Sequence, residues 1–196
     1  MTRLTPLVAL LAVAPLSAAP VPKAAAKNYF PLQVGHKWEY VTPDGKLAHI
    51  AEVTTKEEKG GATFYTLSYS RGERKLTEVI YRVDKDGVGF MRAGMLEYDP
   101  PMVVVNQQLT AGARWTGKSQ FDRRELEYEM EVGPAEEVKT PAGTFTALPV
   151  RQKYATIRQE HVSWYADGVG LVKSSAGGGI SVNELKSFTP AKEGKK

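Results

Sequence analysis

The chain reads as an all-β domain: a strongly curved antiparallel sheet, half-barrel or barrel, with little or no helix. Three observations predict it. Short segments alternate apolar and polar residues and are bounded by Gly, Pro and Asp, which is the pattern of half-buried strands joined by tight turns. No stretch carries the i, i+3, i+4 apolar spacing of an amphipathic helix. And the motif L-x-x-G-x-x-W occurs twice, at Leu32–Trp38 and Leu109–Trp115. Each copy leads into an alternating segment, and each is followed by Asp-Gly-Val-Gly, at Asp86–Gly89 and Asp167–Gly170. Two signatures in the same order predict two related halves, about 28–105 and 106–190, within one domain over 27–190.

In chain order, the first motif opens a strand in which Trp38 and Tyr40 share one face. Pro43-Asp44-Gly45-Lys46 then makes a hairpin turn, since proline presets φ and glycine accepts φ > 0. A return strand covers Leu47–Thr55 and a polar turn Lys56–Gly61. Thr63–Ser70 follows, with Tyr65, Leu67 and Tyr69 on one face. Turns at Arg71–Arg74 and Asp84–Gly87 separate Leu76–Val83 and Val88–Arg92. Asp99-Pro-Pro-Met-Val-Val-Val105 breaks the rhythm. Two prolines are foreign to a central strand and the apolar run does not alternate, so this segment reads as an irregular, partly buried connection. Its Met102, Val103 and Val104 are a candidate lid.

In the second half the clearest strand is Arg124–Val132. Leu126, Tyr128, Met130 and Val132 alternate with Glu125, Glu127, Glu129 and Glu131, the sign of one dry and one wet face. Thr140–Gly143 is a turn, and Thr144–Ile157 a long strand bending near Pro149. His161–Ala166, Leu171–Ser174 and Ile180–Phe188 complete a total of ten to thirteen strands. Residues 20–31 read as a flexible lead-in and 191–196 as a disordered tail.

The N-terminus carries Arg3 and then an apolar run from Leu4 to Leu16 ending in Ser17-Ala18-Ala19. That is the order of a secretory signal peptide, and the run is shorter than the roughly 20 residues that span a bilayer. Residues 1–26 are therefore expected to be a signal peptide and lead-in, leaving a soluble periplasmic or extracellular protein with no transmembrane segment in its mature form. The 196 residues include no cysteine, which removes disulfides, thiol catalysis, lipoprotein acylation and cysteine zinc sites. The net charge of +4 is interspersed along the chain, without the basic, aromatic-studded block that nucleic acid binding favours.

Catalytic patterns are absent. His36, His49 and His161 are not spaced as ligands on one element, no serine lies in G-x-S-x-G or S-x-x-K, and Gly177–Gly179 leads to no phosphate-loop Lys-Ser/Thr. The glutamates of 125–131 lie opposite the apolar face and read as a solvated ladder balanced by lysines on neighbouring strands. No metal, cofactor or catalytic residue is expected. What remains is an aromatic inner face, drawn from Trp38, Tyr40, Tyr65, Tyr69, Tyr81, Tyr128, Met130 and Trp164. Curled sheets of this size can enclose a small-molecule cavity, and Trp38, Tyr40, Tyr65, Tyr128 and Trp164 are its candidate lining.

Tyr29-Phe30-Pro31-Leu32-x-Val34-Gly35-x-x-Trp38-x-Tyr40, Thr140-Pro-Ala-Gly-Thr-Phe145, and Trp164-Tyr-Ala-Asp-Gly-Val-Gly-Leu-Val-Lys173 followed by Glu184-Leu185 resemble blocks shared by a group of exported bacterial β proteins. These look similar in architecture to Lol-type lipoprotein carriers, incomplete barrels with an apolar concave face. The resemblance implies a lipid or other apolar ligand and brings no catalytic residue with it. Three functions are thus weighed: an exported binding protein for a lipid or apolar molecule, a non-catalytic envelope interaction or structural module with a filled core, and an enzyme assembled from distant strands around the histidines. They differ in whether the interior is open, filled or lined by converging histidines.

Overall fold

The computed structural model describes residues 26–106, 109–155 and 160–192; the leader, apart from residue 26, lies outside them. The strands run β1 (Lys37–Val41), β2 (Leu47–Lys59), β3 (Ala62–Arg71), β4 (Arg74–Asp84), β5 (Gly87–Ala93), β6 (Leu96–Asn106), β7 (Arg114–Phe121), β8 (Arg124–Val132), β9 (Glu136–Thr140), β10 (Gly143–Tyr154), β11 (Glu160–Ala166), β12 (Gly170–Ala176) and β13 (Ser181–Thr189). The only helical turn among the described residues is Gly177–Gly179. All thirteen strands form one sheet. All except β9 form a closed antiparallel ring, because β13 pairs with β1 and β11 pairs with β10. Closure satisfies the backbone groups that an open sheet leaves on its edges.

β10 makes that closure and also leaves it. One of its edges pairs with β11 over Ala147–Lys153. The other pairs with β8 over Val150–Tyr154 and with β9 over Gly143–Ala147. Pro149 sits where the partner changes, so its missing N–H costs nothing, and its carbonyl accepts from Gly133 N at 2.8 Å. The β9–β10 hairpin then folds against β12 and β13, with Ala142 N donating to Leu185 O at 3.0 Å. Both faces of β10 are consequently buried from Ala147 to Val150.

The two L-x-x-G-x-x-W copies fold alike. Gly35 N donates to Val53 O and Val53 N to His36 O; Gly112 N donates to Val132 O and Val132 N to Ala113 O, all within 2.8–2.9 Å. A turn bond closes each loop, His36 N to Gln33 O and Ala113 N to Thr110 O. The glycines have φ of 93° and 84°, a region other residues enter only with strain. The two Asp-Gly-Val-Gly copies occupy matching hairpins, β4–β5 and β11–β12, but differ in backbone. In the first, Gly87 is already in the strand at φ 126°; in the second, Gly168 forms the turn at φ 73° and Gly170 follows at 88°.

The Pro100–Val105 segment corrects the expectation of an irregular connection: it is part of β6. Its pairing with β7 is confined to Tyr98–Phe121 and Asp99–Gln120, because the two prolines that follow have no N–H to give. Beyond them side chains replace the ladder. Trp115 Nε1 donates to Val103 O at 2.9 Å, Val103 N donates to the Tyr128 hydroxyl at 3.0 Å, and Ser119 Oγ donates to Pro100 O at 2.8 Å. Tyr128 reaches across β7 over Gly117, where a Cβ would stand 2.3 Å from its hydroxyl oxygen. The glutamates of β8 meet cations of β7, Lys118 with Glu125 and Glu127, and Arg114 with Glu131.

Two substitutions separate these devices. Gly112→Ala meets no atom within 4 Å, so its cost is backbone strain alone, about 1–2 kcal/mol, read as a lowered denaturation midpoint. Gly117→Ala displaces Tyr128 from Val103 and is expected to increase amide exchange at Val103, a change that Gly112→Ala does not produce.

Candidate functional site

The site is the barrel interior near the end where β1 begins and β13 finishes, here the terminal end. Alternation sends Trp38 and Tyr40 of β1, Ala51 of β2, Leu67 and Tyr69 of β3, Tyr81 of β4 and Tyr165 of β11 to this interior, where they border one cavity. The lead-in read as flexible is not free over its last residues. It lies across the mouth, with Asn28 N donating to Asp167 Oδ1 at 2.7 Å and Gly168 N donating to Asn28 O at 2.8 Å. Phe30 enters edge-on against Tyr81, ring centroids 5.1 Å apart, and tilted against Tyr165 at 5.9 Å. Pro31 and Leu32 complete the roof. The free volume left in it is about 60 Å³.

The first repeat and the second Asp-Gly-Val-Gly meet at this roof. Trp38 Nε1 donates to Val169 O at 2.7 Å and the Tyr40 hydroxyl to Leu171 O at 2.8 Å. Gly170 eases the approach: its φ of 88° suits glycine, and a Cβ there would stand 3.1 Å from Pro31 Cδ. Trp38 also stacks on Phe188 at 5.3 Å. The second tryptophan, Trp115, instead packs against the other buried cluster, around Met130 and Val150.

Four tyrosines line this cavity, Tyr40 and Tyr165 buried and Tyr69 and Tyr81 partly buried. Burial pushes Tyr40 and Tyr81 well above the ordinary phenol value, and neighbouring phenols add to the shift. Burial also raises Tyr69, and pushes Tyr165 to about 12. A low-dielectric site with neighbouring phenols resists a phenolate, so the cluster is a neutral set of hydrogen-bonding groups.

Of the predicted lining, Trp38 and Tyr40 border the cavity. Tyr65 packs at the edge of the same cluster. Tyr128 is committed to the β6–β7 junction. Trp164 lies on the opposite face of β11 from Tyr165, donating to Glu136 of β9 with Lys173 6.0 Å over its ring. Met102 is buried in the second cluster and Val103 is held by Trp115 and Tyr128, so this run forms wall, not lid. Phe30, Tyr165 and Leu171 were missed. Phe30's signal was the apolar Tyr29-Phe30-Pro31-Leu32 run, which a solvated lead-in does not need.

The histidines occupy separate settings. His36 Nδ1 is 3.0 Å from Pro31 O. His49 lies between Tyr40 and Tyr69, at 4.8 and 5.3 Å. His161 meets Tyr154 edge-on at 5.8 Å. Among the described residues no three of His, Asp and Glu gather in a group that could hold a metal, and no helix is long and apolar enough to cross a membrane.

A family model described as DUF3108-like matches residues 118–176. The matched stretch runs from within β7 to the end of β12. Two solved structures are similar. One is a protein described as exported, with a YmcC-like fold, from Bacteroides fragilis NCTC 9343, with 16% identity, 84% of this chain and 100% of that chain covered, and a TM-score of 0.49. The other is described as a lipoprotein, from Parabacteroides distasonis ATCC 8503, with 14% identity, 84% and 99% coverage, and a TM-score of 0.47. No curated protein matches the chain.

Two titrations report on the interior. The four raised tyrosines ionise more readily unfolded than folded, so their contribution to stability is intact below the ordinary value of 10.0 and is lost as pH rises beyond it. Phenolate absorbance is expected to show the exposed tyrosines titrating first and these four only with loss of the near-ultraviolet dichroism of the fold. His49 is shifted the other way, downward, by burial first and Arg71 second. The unfolded chain therefore takes up its proton first as pH falls below 6.5, and stability declines in that direction. His49→Phe is expected to flatten this acid slope in the melting temperature.

Proposed function

We propose that the chain is an exported, non-catalytic protein of the cell envelope, a rigid interaction or structural module with a filled barrel. The observation that carries this reading is the occupant of the interior. Phe30, Pro31 and Leu32 take the space that a ligand would use, and the remaining 60 Å³ is far below the roughly 300 Å³ at which small-molecule sites begin. Export rests on the charge, apolar run and small residues of the leader.

One observation favours a second reading, a carrier of a lipid or other apolar molecule. The occluding segment is not a strand of the barrel. Asn28 is tied to the β11–β12 turn, and beside it Tyr29, Phe30, Val83, Val88, Val105 and Leu109 border a surface groove of about 560 Å³. Withdrawal of Phe30 would join groove and cavity.

Native mass spectrometry of the protein purified from its own host distinguishes the two. A filled module is ligand-free and leaves a fluorescent fatty-acid probe dark. Phe30→Ala, which removes the aromatic wedge, is expected to bind the probe where the wild type does not. Stoichiometric lipid on the wild-type protein would replace the first reading with the second.

A further inference from the structure

The hairpins of an antiparallel ring alternate between its ends. β1–β2, β3–β4, β5–β6, β7–β8, β10–β11 and β12–β13 therefore share the end opposite the plug, here the hairpin end. Two of the tips there are apolar and almost fully exposed: Met95 of β5–β6 is 98% exposed and Ile180 of β12–β13 is 90% exposed. In the ring order these hairpins are six strands apart, on opposite sides of the rim. Leu96, next to Met95 in the chain, and Leu76 on the neighbouring β4 are also exposed. Isolated exposed apolar residues are ordinary. Two large side chains at opposed points of one rim are a matched pair.

Cations flank the Met95 side of the rim, on the β3–β4, β5–β6 and β7–β8 hairpins. Arg74, Arg92, Arg123 and Arg124 are exposed on the same end and have no carboxylate within salt-bridge distance among the described residues, whereas Lys46 and Lys75 pair with Asp44 and Glu78. Exposed Glu73, Glu97 and Asp122 share the rim. The β7–β8 turn places Asp122 and Arg123 at φ of 46° and 61°. Such a two-residue hairpin turn favours Asn-Gly, so a strained backbone carries an arginine at the tip. The terminal end carries its charges as pairs, Glu58 with Lys56, Asp84 with Arg82 and Asp86 with Lys85, and exposes Lys59 beside Glu57.

We infer that the hairpin end docks on an anionic phospholipid surface. Met95 and Ile180 enter the headgroup–acyl boundary and the arginines lie on the phosphates. Apolar side chains inserted at the interface and basic residues beside them are the two additive contributions to peripheral membrane binding. The end-on orientation follows from the two exposed apolar tips, which lie on this rim. The docking does not depend on whether the barrel is filled.

The test is sedimentation of the full chain with vesicles of phosphatidylglycerol and phosphatidylethanolamine, and with vesicles of phosphatidylcholine alone. Binding is expected on the anionic vesicles, weakening with salt. Met95→Ser with Ile180→Ser, both on exposed tips whose loss spares the core, is expected to weaken it about ten-fold. Arg123→Glu with Arg124→Glu is expected to remove most of the salt-sensitive part, and circular dichroism checks that both variants keep the fold. No binding to anionic vesicles at low salt, equal binding to phosphatidylcholine, or an unchanged Met95/Ile180 double variant would overturn the inference. So would a dimer that forms without lipid and is lost in that double variant, since the rim would then belong to a second copy of the chain.

Discussion

A ring of strands has no edges, but its diameter grows with strand number. Near eight strands the side chains of the wall just meet in the middle. This ring has more strands than that, and its composition answers the wider gap. The wall supplies large rings, Trp38, Tyr40, Tyr69, Tyr81 and Tyr165, and a piece of backbone outside the sheet carries Phe30 into the middle. Polar tips come with tyrosine, and the carbonyl of Leu171 accepts one of them. Filling the lumen thus explains the aromatic inner face as fully as ligand binding does.

Much of the sheet was legible in the sequence because a one-sided strand writes its pattern plainly. Arg124–Val132 has the bounds that its Glu/apolar alternation predicts, and the paired L-x-x-G-x-x-W motifs make matching hydrogen bonds. Where both faces are covered, periodicity is silent. Trp164 and Tyr165 are adjacent on β11 and both packed, one under β9 and one against Phe30, so alternation did not say which faces inward. β6 was hidden for another reason. Pro100 and Pro101 are hostile to a ladder, and what holds the strand there is Trp115 and Tyr128 from the neighbouring strands. β9 is short and polar, and it exists because β10 runs beyond β8 and needs a partner.

The repeat has two different fates. The glycine turns remain equivalent because each does the same local task, pinning a strand to the valine of the next. The Asp-Gly-Val-Gly hairpins diverge because only the second has a neighbour to receive. Asp167 binds Asn28, and Val169 O receives Trp38, whereas Asp86 N is satisfied within its own turn by Asp84 at 2.8 Å. An approximate two-fold pattern is broken at the one place where the chain has a single N-terminal segment to house.

The roof also sets an order of events. Asn28 and Asp167 are 139 residues apart, Trp38 and Val169 are 131 apart, and Glu39 and Lys186 are 147 apart. The segment that leaves the ribosome, or a translocation pore, among the first is seated by residues that arrive near the last. Loop closure over such separations is slow. Phe30, Trp38 and Tyr40 must therefore wait, apolar and unpartnered, while most of the barrel is made. This interval is the one in which a chaperone has an aromatic N-terminal segment to hold.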